Sequence, residues 1–188
     1  MRKLIASINM TLDGFCDHTA ITPDEEMHQH YADLVRNAGV LLYGRVTYQL
    51  MEYWREVVQN PTGDRATDDF ARAIDQTPKI VFSKTLNAVD WHSATLSTRT
   101  LEDEVQVLRQ QPGNDAYVGS PGLIAQLTNL GLIDEFQIFL HPVIAGSGLP
   151  LFRDIHEQVM LRLIKTRTFA AGGVILYYEP AREPAAAR

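Results

Sequence analysis

Hydrophobic and polar positions change period several times along the chain. KLIASINM near the start is a short, almost continuous apolar run, the pattern of a buried strand. TLDGFCDHTA follows as a loop, with Asp13-Gly14 as its turn signal. Thr22-Pro23-Asp24-Glu25 predicts a helix start, with Thr22 as N-cap, Pro23 at the first helical position and Glu25 closing a capping box. That helix should run to about Asn37 and end at Gly39, before the buried strand VLLY. After Gly44-Arg45, VTYQLMEYW reads as a helix; residues 59–66 are a polar loop, and Thr67-Asp68-Asp69 starts a third helix. KIVFS (79–83) is a strand, Asp90-Trp91 sits in a short extended piece, and Thr100 caps another helix. AYV is a strand cut off by Gly119-Ser120-Pro121-Gly122, and the helix that follows ends near Gly131. IDEFQIFLHPVI alternates as one long strand, and residues 159–179 hold two more around Ala171-Gly172-Gly173.

Strands alternating with helices imply a parallel sheet with helices on both faces. The long C-terminal strands lack intervening helices and suggest an antiparallel edge. The expected fold is a single α/β domain, three-layer α/β/α, with a mixed, mostly parallel sheet. It should span residues 1–179, with a disordered tail over 180–188. A length of 188 residues and a 45% hydrophobic content suit one core of ordinary size.

Charge and cysteine content narrow the function classes. The formal charge is −6 and the pI about 5.5, which argues against nonspecific nucleic-acid binding. Cys16 is the single cysteine, so an internal disulfide and a cysteine zinc cluster are excluded. Only a few apolar residues follow Met1-Arg2-Lys3 before Asn9, and no apolar run approaches a membrane span. A cytoplasmic protein with no membrane partner is expected.

Three strands end in residues suited to anions. VLLY ends in Gly44-Arg45-Val46-Thr47, KIVF in Ser83-Lys84-Thr85, and AYV in Gly119-Ser120-Pro121-Gly122. In an open α/β sheet all three would lie on one rim, beyond the carboxyl ends of the parallel strands. Gly44 admits close backbone approach, Arg45 offers a planar fork to phosphate oxygens, and Thr47 adds a hydroxyl. Ser83 and Lys84 make a compact site for a terminal phosphate such as the 2′-phosphate of NADP. Gly119 and the helix start after it suit a pyrophosphate. There is no Rossmann fingerprint and no P-loop.

Other residues carry bland readings beside functional ones. Asp13 could donate a proton through water, or simply form an Asp-Gly turn. His28 and His30, two apart on a helix, have poor metal spacing and read as surface residues; no metal site is expected. His141 before Pro142 reads as a packing or edge residue. Tyr48, Tyr53 and Trp54 read as the packed face of the second helix. Cys16 has no evident base partner. Gly146-Ser147-Gly148 follows an edge-type strand and reads as a plain turn.

The segments LIASINMTLDG, LLYGRVTY, KIVFSKTL, YVGSPGLIAQL and GLIDEFQIFLHPVIAGSGLPLF, in this order, resemble the dihydrofolate-reductase-like superfamily. Within it they look most like the reductase domain of riboflavin biosynthesis and its stand-alone relatives. The resemblance implies NADPH on the rim, with Gly44, Arg45 and Thr47 at its first phosphate turn and Ser83 and Lys84 at the ribose phosphate. Gly119, Ser120, Gly122 and Leu123 match the second glycine turn, whose first peptide, Gly119–Ser120, is cis in the resembling reductases. Ala6 and Ser7 match positions facing the nicotinamide. Asn9, Thr11 and Asp13 fall where the substrate-side loop begins, with Asp13 the candidate catalytic residue. His28 stands where dihydrofolate reductases place an acid, and Tyr117-Val118 where riboflavin reductases carry one. The implied activity is hydride transfer from NADPH to a small C=N or C=O substrate, pterin-like or riboflavin-precursor-like. The alternative is an NADP-binding module or sensor without turnover. A homodimer through the C-terminal strands is expected.

Overall fold

The computed structural model describes residues 1–16, 19 and 21–181. The predicted tail from 182 onward lies outside the described residues; Pro180 ends the last strand, opposite Leu161. Eight strands form one sheet: β1 (Leu4–Thr11), β2 (Val40–Gly44), β3 (Lys79–Phe82), β4 (Ala94–Leu96), β5 (Ala116–Val118), β6 (Glu135–His141), β7 (Leu161–Thr168) and β8 (Val174–Pro180). Their spatial order is β4-β3-β2-β5-β1-β6-β8-β7. The first six run parallel, and only the β6–β8 and β8–β7 pairs are antiparallel. The mixed, mostly parallel α/β sheet is therefore as expected. IDEFQIFLHPVI, however, is not an edge: β6 covers only Glu135–His141 and lies parallel to β1 through seven register pairs, from Ile5–Glu135 to Thr11–His141. The free edges are β4 and β7.

Side-chain alternation on the strands divides the core in two. Leu4, Ala6, Ile8, Leu42, Val118, Phe136 and Ile138 face helices α5 (Leu101–Gln110) and α6 (Pro121–Asn129), which contribute Val105, Leu108, Ile124 and Leu127. The opposite face, with Leu41, Tyr43 and Val81, packs against Val35 and Ala38 and against Ala73 and Ile74. These come from α1 (Glu25–Asn37), its C-cap, and α4 (Arg65–Gln76). Two short helices, α2 (Arg45–Met51) and α3 (Tyr53–Gln59), meet at Glu52, so VTYQLMEYW is broken where one helix was expected. Among the described residues no helix is long and apolar enough to cross a membrane.

Helix starts differ from expectation wherever an aspartate stands nearer than a threonine. Asp24, not Thr22, caps α1: its carboxylate accepts the Met27 N–H at 2.7 Å, and Pro23 lies outside the helix. Asp64 caps α4 by accepting the Thr67 N–H at 2.8 Å, which starts that helix two residues earlier than expected. Thr100 caps α5 as expected. Asp90-Trp91 is not in a strand; Trp91 is a buried core residue, and β4 begins three residues later. The helix α6 ends at Asn129, and Gly131 takes the left-handed φ of 63° that closes it.

His28 and His30 are not surface residues. His30 lies edge-on to Tyr31, Phe139 and Phe169, and the Arg167 guanidinium donates to its Nδ1 at 3.1 Å. Burial, then the nearby Arg167 charge, pushes its pKa down to about 4. The folded state therefore excludes a proton that the unfolded chain binds. Stability contributed by neutral His30 is whole above about pH 6.5 and is lost as the pH falls toward 4. Urea titrations from pH 7 to 4 should show a falling midpoint, and His30→Phe should flatten that fall. At Gly39 the backbone passes so close to β5's entry that a Cβ would sit 2.3 Å from the Asn114 carbonyl oxygen. Gly39→Ala should cost about 1–3 kcal/mol. Gly122→Ala, where a Cβ meets nothing within 4 Å, should stay near neutral in the same denaturation assay.

Candidate functional site

The parallel strands carry their polar termini to one rim. Pairing of Gly44 with Phe82 sets Arg45 beside Ser83, and pairing of Leu42 and Ala6 with Val118 sets Gly119 between them. Across this rim the Gly44 N–H donates to Ser120 Oγ at 2.9 Å. Two helices start at that junction. α2, with Gly44 as N-cap, and α6, with Ser120 as N-cap, have no side-chain cap, whereas α1, α4 and α5 are capped by Asp24, Asp64 and Thr100. The first-turn N–H groups of α2 and α6 are thus left open side by side. Pro121 at the first position of α6 has no N–H to satisfy. Arg45, exposed, donates to Gln49 Oε1 at 3.1 Å. Ser83 Oγ accepts the N–H groups of Thr85 and Leu86 and lies 3.4 Å from Thr85 Oγ1.

Below the rim opens a cleft of about 570 Å³, lined by Ser7, Asn9, Thr47, Gly119 and Pro121 with apolar walls from Met27, Met51 and Trp54. An inner chamber of about 230 Å³ continues past Ser7, Asn9 and Gly119 to His28, Tyr43 and Tyr117. The His28 ring stacks on Phe70, lies edge-on to Trp54, and its Nδ1 is 3.3 Å from Thr67 Oγ1. Burial lowers its pKa. The polar floor comes from three elements. Asn9 Oδ1 accepts from Tyr31 Oη at 3.0 Å and lies 2.9 Å from His141 Nε2. Burial holds the Tyr31 phenol well above its usual range, so it keeps its proton.

A family model described as the RibD C-terminal domain matches residues 2–175. The chain belongs to the RibD C-terminal domain family. It is 32% identical over 185 residues to the uncharacterised protein YyaP of Bacillus subtilis, covering 94% of each chain. Among solved structures it resembles a protein of Shewanella sp. PV-4 named for riboflavin biosynthesis (TM-score 0.73, 20% identity, 96% of this chain and 99% of that one). It also resembles the dihydrofolate reductase of Enterococcus faecalis complexed with NADP(H) (TM-score 0.63, 13% identity, 96% and 97%). The dihydrofolate-reductase-like fold expected from the motifs is thereby shown.

In this RibD-type domain the rim residues Gly44, Arg45, Thr47, Gly119, Ser120, Gly122 and Leu123 gather as the strand ends require, and Ser83-Lys84 adjoin them through β3. Ala6 is fully buried beneath Val118, while Ser7 faces the cleft. One expectation fails. The Gly119–Ser120 peptide is trans, since no cis bond occurs among the described residues; an extended Ser120, tied through its hydroxyl to Gly44, already turns the chain into α6. Asp13 is placed in a loop–loop contact and not among the residues that line the cleft. Its carboxylate accepts Thr11 Oγ1–H at 2.6 Å and the N–H groups of Ala145 and Gly146 at 3.1 and 2.7 Å. The Thr11 hydroxyl and the Gly146 N–H draw its pKa down to about 2, so near neutrality it is an ionised staple between two loops. Thr11, fully buried, serves that staple and not the cleft. Gly146, read as a plain turn residue, is one of its anchors. Tyr31, which lines the cleft, and His141, which meets Asn9 from behind it, were not singled out for this site. Only register could have exposed them, because His141 stands opposite Thr11, two positions from Asn9 on the same face.

Cys16 lines the cleft at the end of the stapled loop, its N–H donating to Leu149 O at 2.8 Å, and burial raises its thiol to about 12. At pH 8 it should therefore react slowly with a disulfide reagent such as Ellman's reagent. Asp13→Ala should free the loop and speed that reaction about ten-fold or more, with little loss of helical circular dichroism. Because the folded pKa of Asp13 is depressed, the anchoring should hold above about pH 4 and be lost only as the pH falls toward 2.

Proposed function

We propose that the chain is an NADPH-dependent reductase acting on a small C=N or C=O substrate. The observation that supports this best is the pair of uncapped helix starts, joined by Gly44 and Ser120, opening onto an apolar cleft. Such N–H groups suit a pyrophosphate. Gly122 leaves open space at the same place, so the residues present fit an anionic cofactor. Arg45, Ser83 and Lys84 would hold its terminal phosphate, and Ser7 and Gly119 would flank the nicotinamide. When bound, the nicotinamide supplies the hydride. The chain's own part is to orient the two reactants and to exclude water with Trp54, Met51 and Met27.

The alternative, a module that holds NADP without turnover, is favoured by one finding. Asp13, the one candidate acid, is committed to the loops, which leaves Tyr31 and Cys16 as the groups at the cleft that burial holds protonated. Loss of NADPH absorbance with any of a panel of pterins, ribitylamino-pyrimidines and small carbonyls decides for the reductase. Binding of NADPH with no oxidation by the whole panel decides for the module.

Calorimetry should show NADPH binding more tightly than NADH. Arg45→Ala and Lys84→Ala should each weaken NADPH about ten-fold, as loss of one charge-assisted bond implies, and leave NADH nearly unchanged. Equal affinity of wild type for the two cofactors would remove the role given to Ser83-Lys84. The chain should also form a homodimer, though not by way of β6 and β8, which are interior. β7 is the exposed edge; it carries Leu163 and Ile164, both about half exposed, next to Met160. Light scattering at micromolar concentration should give a dimer, and Leu163→Asp with Ile164→Asp a monomer.

A further inference from the structure

The floor of the cleft contains an amide whose two ends are unequal in freedom. Asn9 Oδ1 has two partners, Tyr31 Oη at 3.0 Å and His141 Nε2 at 2.9 Å. Asn9 Nδ2 has no hydrogen-bond partner among the described residues, and it is not among the enclosed polar atoms that lack one. Asn9 lines both the cleft and the inner chamber, so this free end faces the space a substrate would take. The Tyr31 phenol keeps its proton and donates. With Asn9 Oδ1 only 2.9 Å away, His141 pairs with it as a donor when Nε2 carries the proton, in the neutral Nε2–H tautomer or the charged imidazolium. His141 is itself buried, and its ring stacks on Phe139 at 4.4 Å, which fixes its direction.

We propose that Asn9 is a specificity-determining residue whose side-chain NH₂, locked by Tyr31 and His141, reads a hydrogen-bond acceptor, such as a ring carbonyl, on the substrate. This rests on the reductase reading of the cleft and adds the polarity of what it selects. Tyr31 and His141 are positioning residues: they need not touch the substrate, and they stop the amide from turning over. A ring that presents an amino group at this point would set donor against donor and leave both unpaired, which discriminates strongly in a largely apolar site.

Asn9→Asp keeps the shape and the inward acceptor for Tyr31 and His141, but turns the outward donor into an acceptor. Two flat bicyclic probes of equal size test this by calorimetry at pH 7 without cofactor: lumazine, with ring carbonyls, and 2,4-diaminopteridine, with amino groups in their place. Wild type should bind lumazine about ten-fold or more tighter, and Asn9→Asp should reverse the order. Tyr31→Phe combined with His141→Phe should bring the ratio of the two affinities near one, because the amide can then present either end. A role in packing alone would weaken both probes together and leave the ratio fixed. The same preference in wild type and Asn9→Asp, or no binding of lumazine to wild type at millimolar concentration, overturns the proposal. Should Asn9→Asp fail to fold, an unchanged ratio in the double variant overturns it equally. NADPH binding is measured separately, so its absence would refute the reductase reading while the probe ratio still decides Asn9.

Discussion

Ser120 Oγ accepts the Gly44 N–H at 2.9 Å, so this serine is unavailable as a cap for its own helix. One neutral hydrogen bond of this sort contributes on the order of 1 kcal/mol to stability. Its larger effect is on geometry. It locks the ends of β2 and β5 together at the rim, although their residues lie 76 positions apart in the chain. Two helix starts without side-chain caps meet at that rim, whereas α1, α4 and α5 are closed by Asp24, Asp64 and Thr100. Open N–H groups at a helix start are unfavourable unless water or an anion meets them. At this rim the two open starts adjoin an apolar cleft.

Much of this was legible in the sequence because it depends on local rules. Short apolar runs gave the strands, glycines after VLLY and AYV gave the turns, and alternation of strand and helix gave the parallel sheet. Errors arose where a choice was settled by competition or by distance. Thr22 and Asp24 are both good caps, and the carboxylate won. IDEFQIFLHPVI alternates like an edge strand, yet it lies inside the sheet, where one face packs on α6 and the other on the Phe139 cluster. Asp13-Gly14 does form a turn, as its local chemistry says. Its carboxylate nevertheless finds Ala145 and Gly146 more than 130 residues away, which no local pattern encodes.

The same limit applies to the cleft. The rim of glycine turns and open helix starts is made of contiguous motifs and could be read directly. The floor is a triangle of Asn9, Tyr31 and His141, drawn from β1, α1 and β6, and each residue alone looks ordinary. A histidine before a proline, a tyrosine on a helix and an asparagine in a strand acquire meaning only once the register brings β6 beside β1. A rim of contiguous motifs can be read from the chain alone, whereas a floor drawn from separate elements can be altered by single replacements on any one of them.

The position of β1 has a further consequence, for synthesis. It is the earliest of the described strands and it sits at the centre of the sheet, yet its partners are β5, paired through Leu4–Ala116, and β6, paired through Ile5–Glu135. A ribosome must release well over a hundred further residues before either flank of β1 can be covered. Until then one of the most apolar segments of the nascent chain has no strand partner, and its early native contacts come from α1, through Tyr31 and Asn9. A sheet threaded this way closes around β1 late, and the apolar Leu4 to Ile8 stay without flanking strands until β5 and β6 have been made.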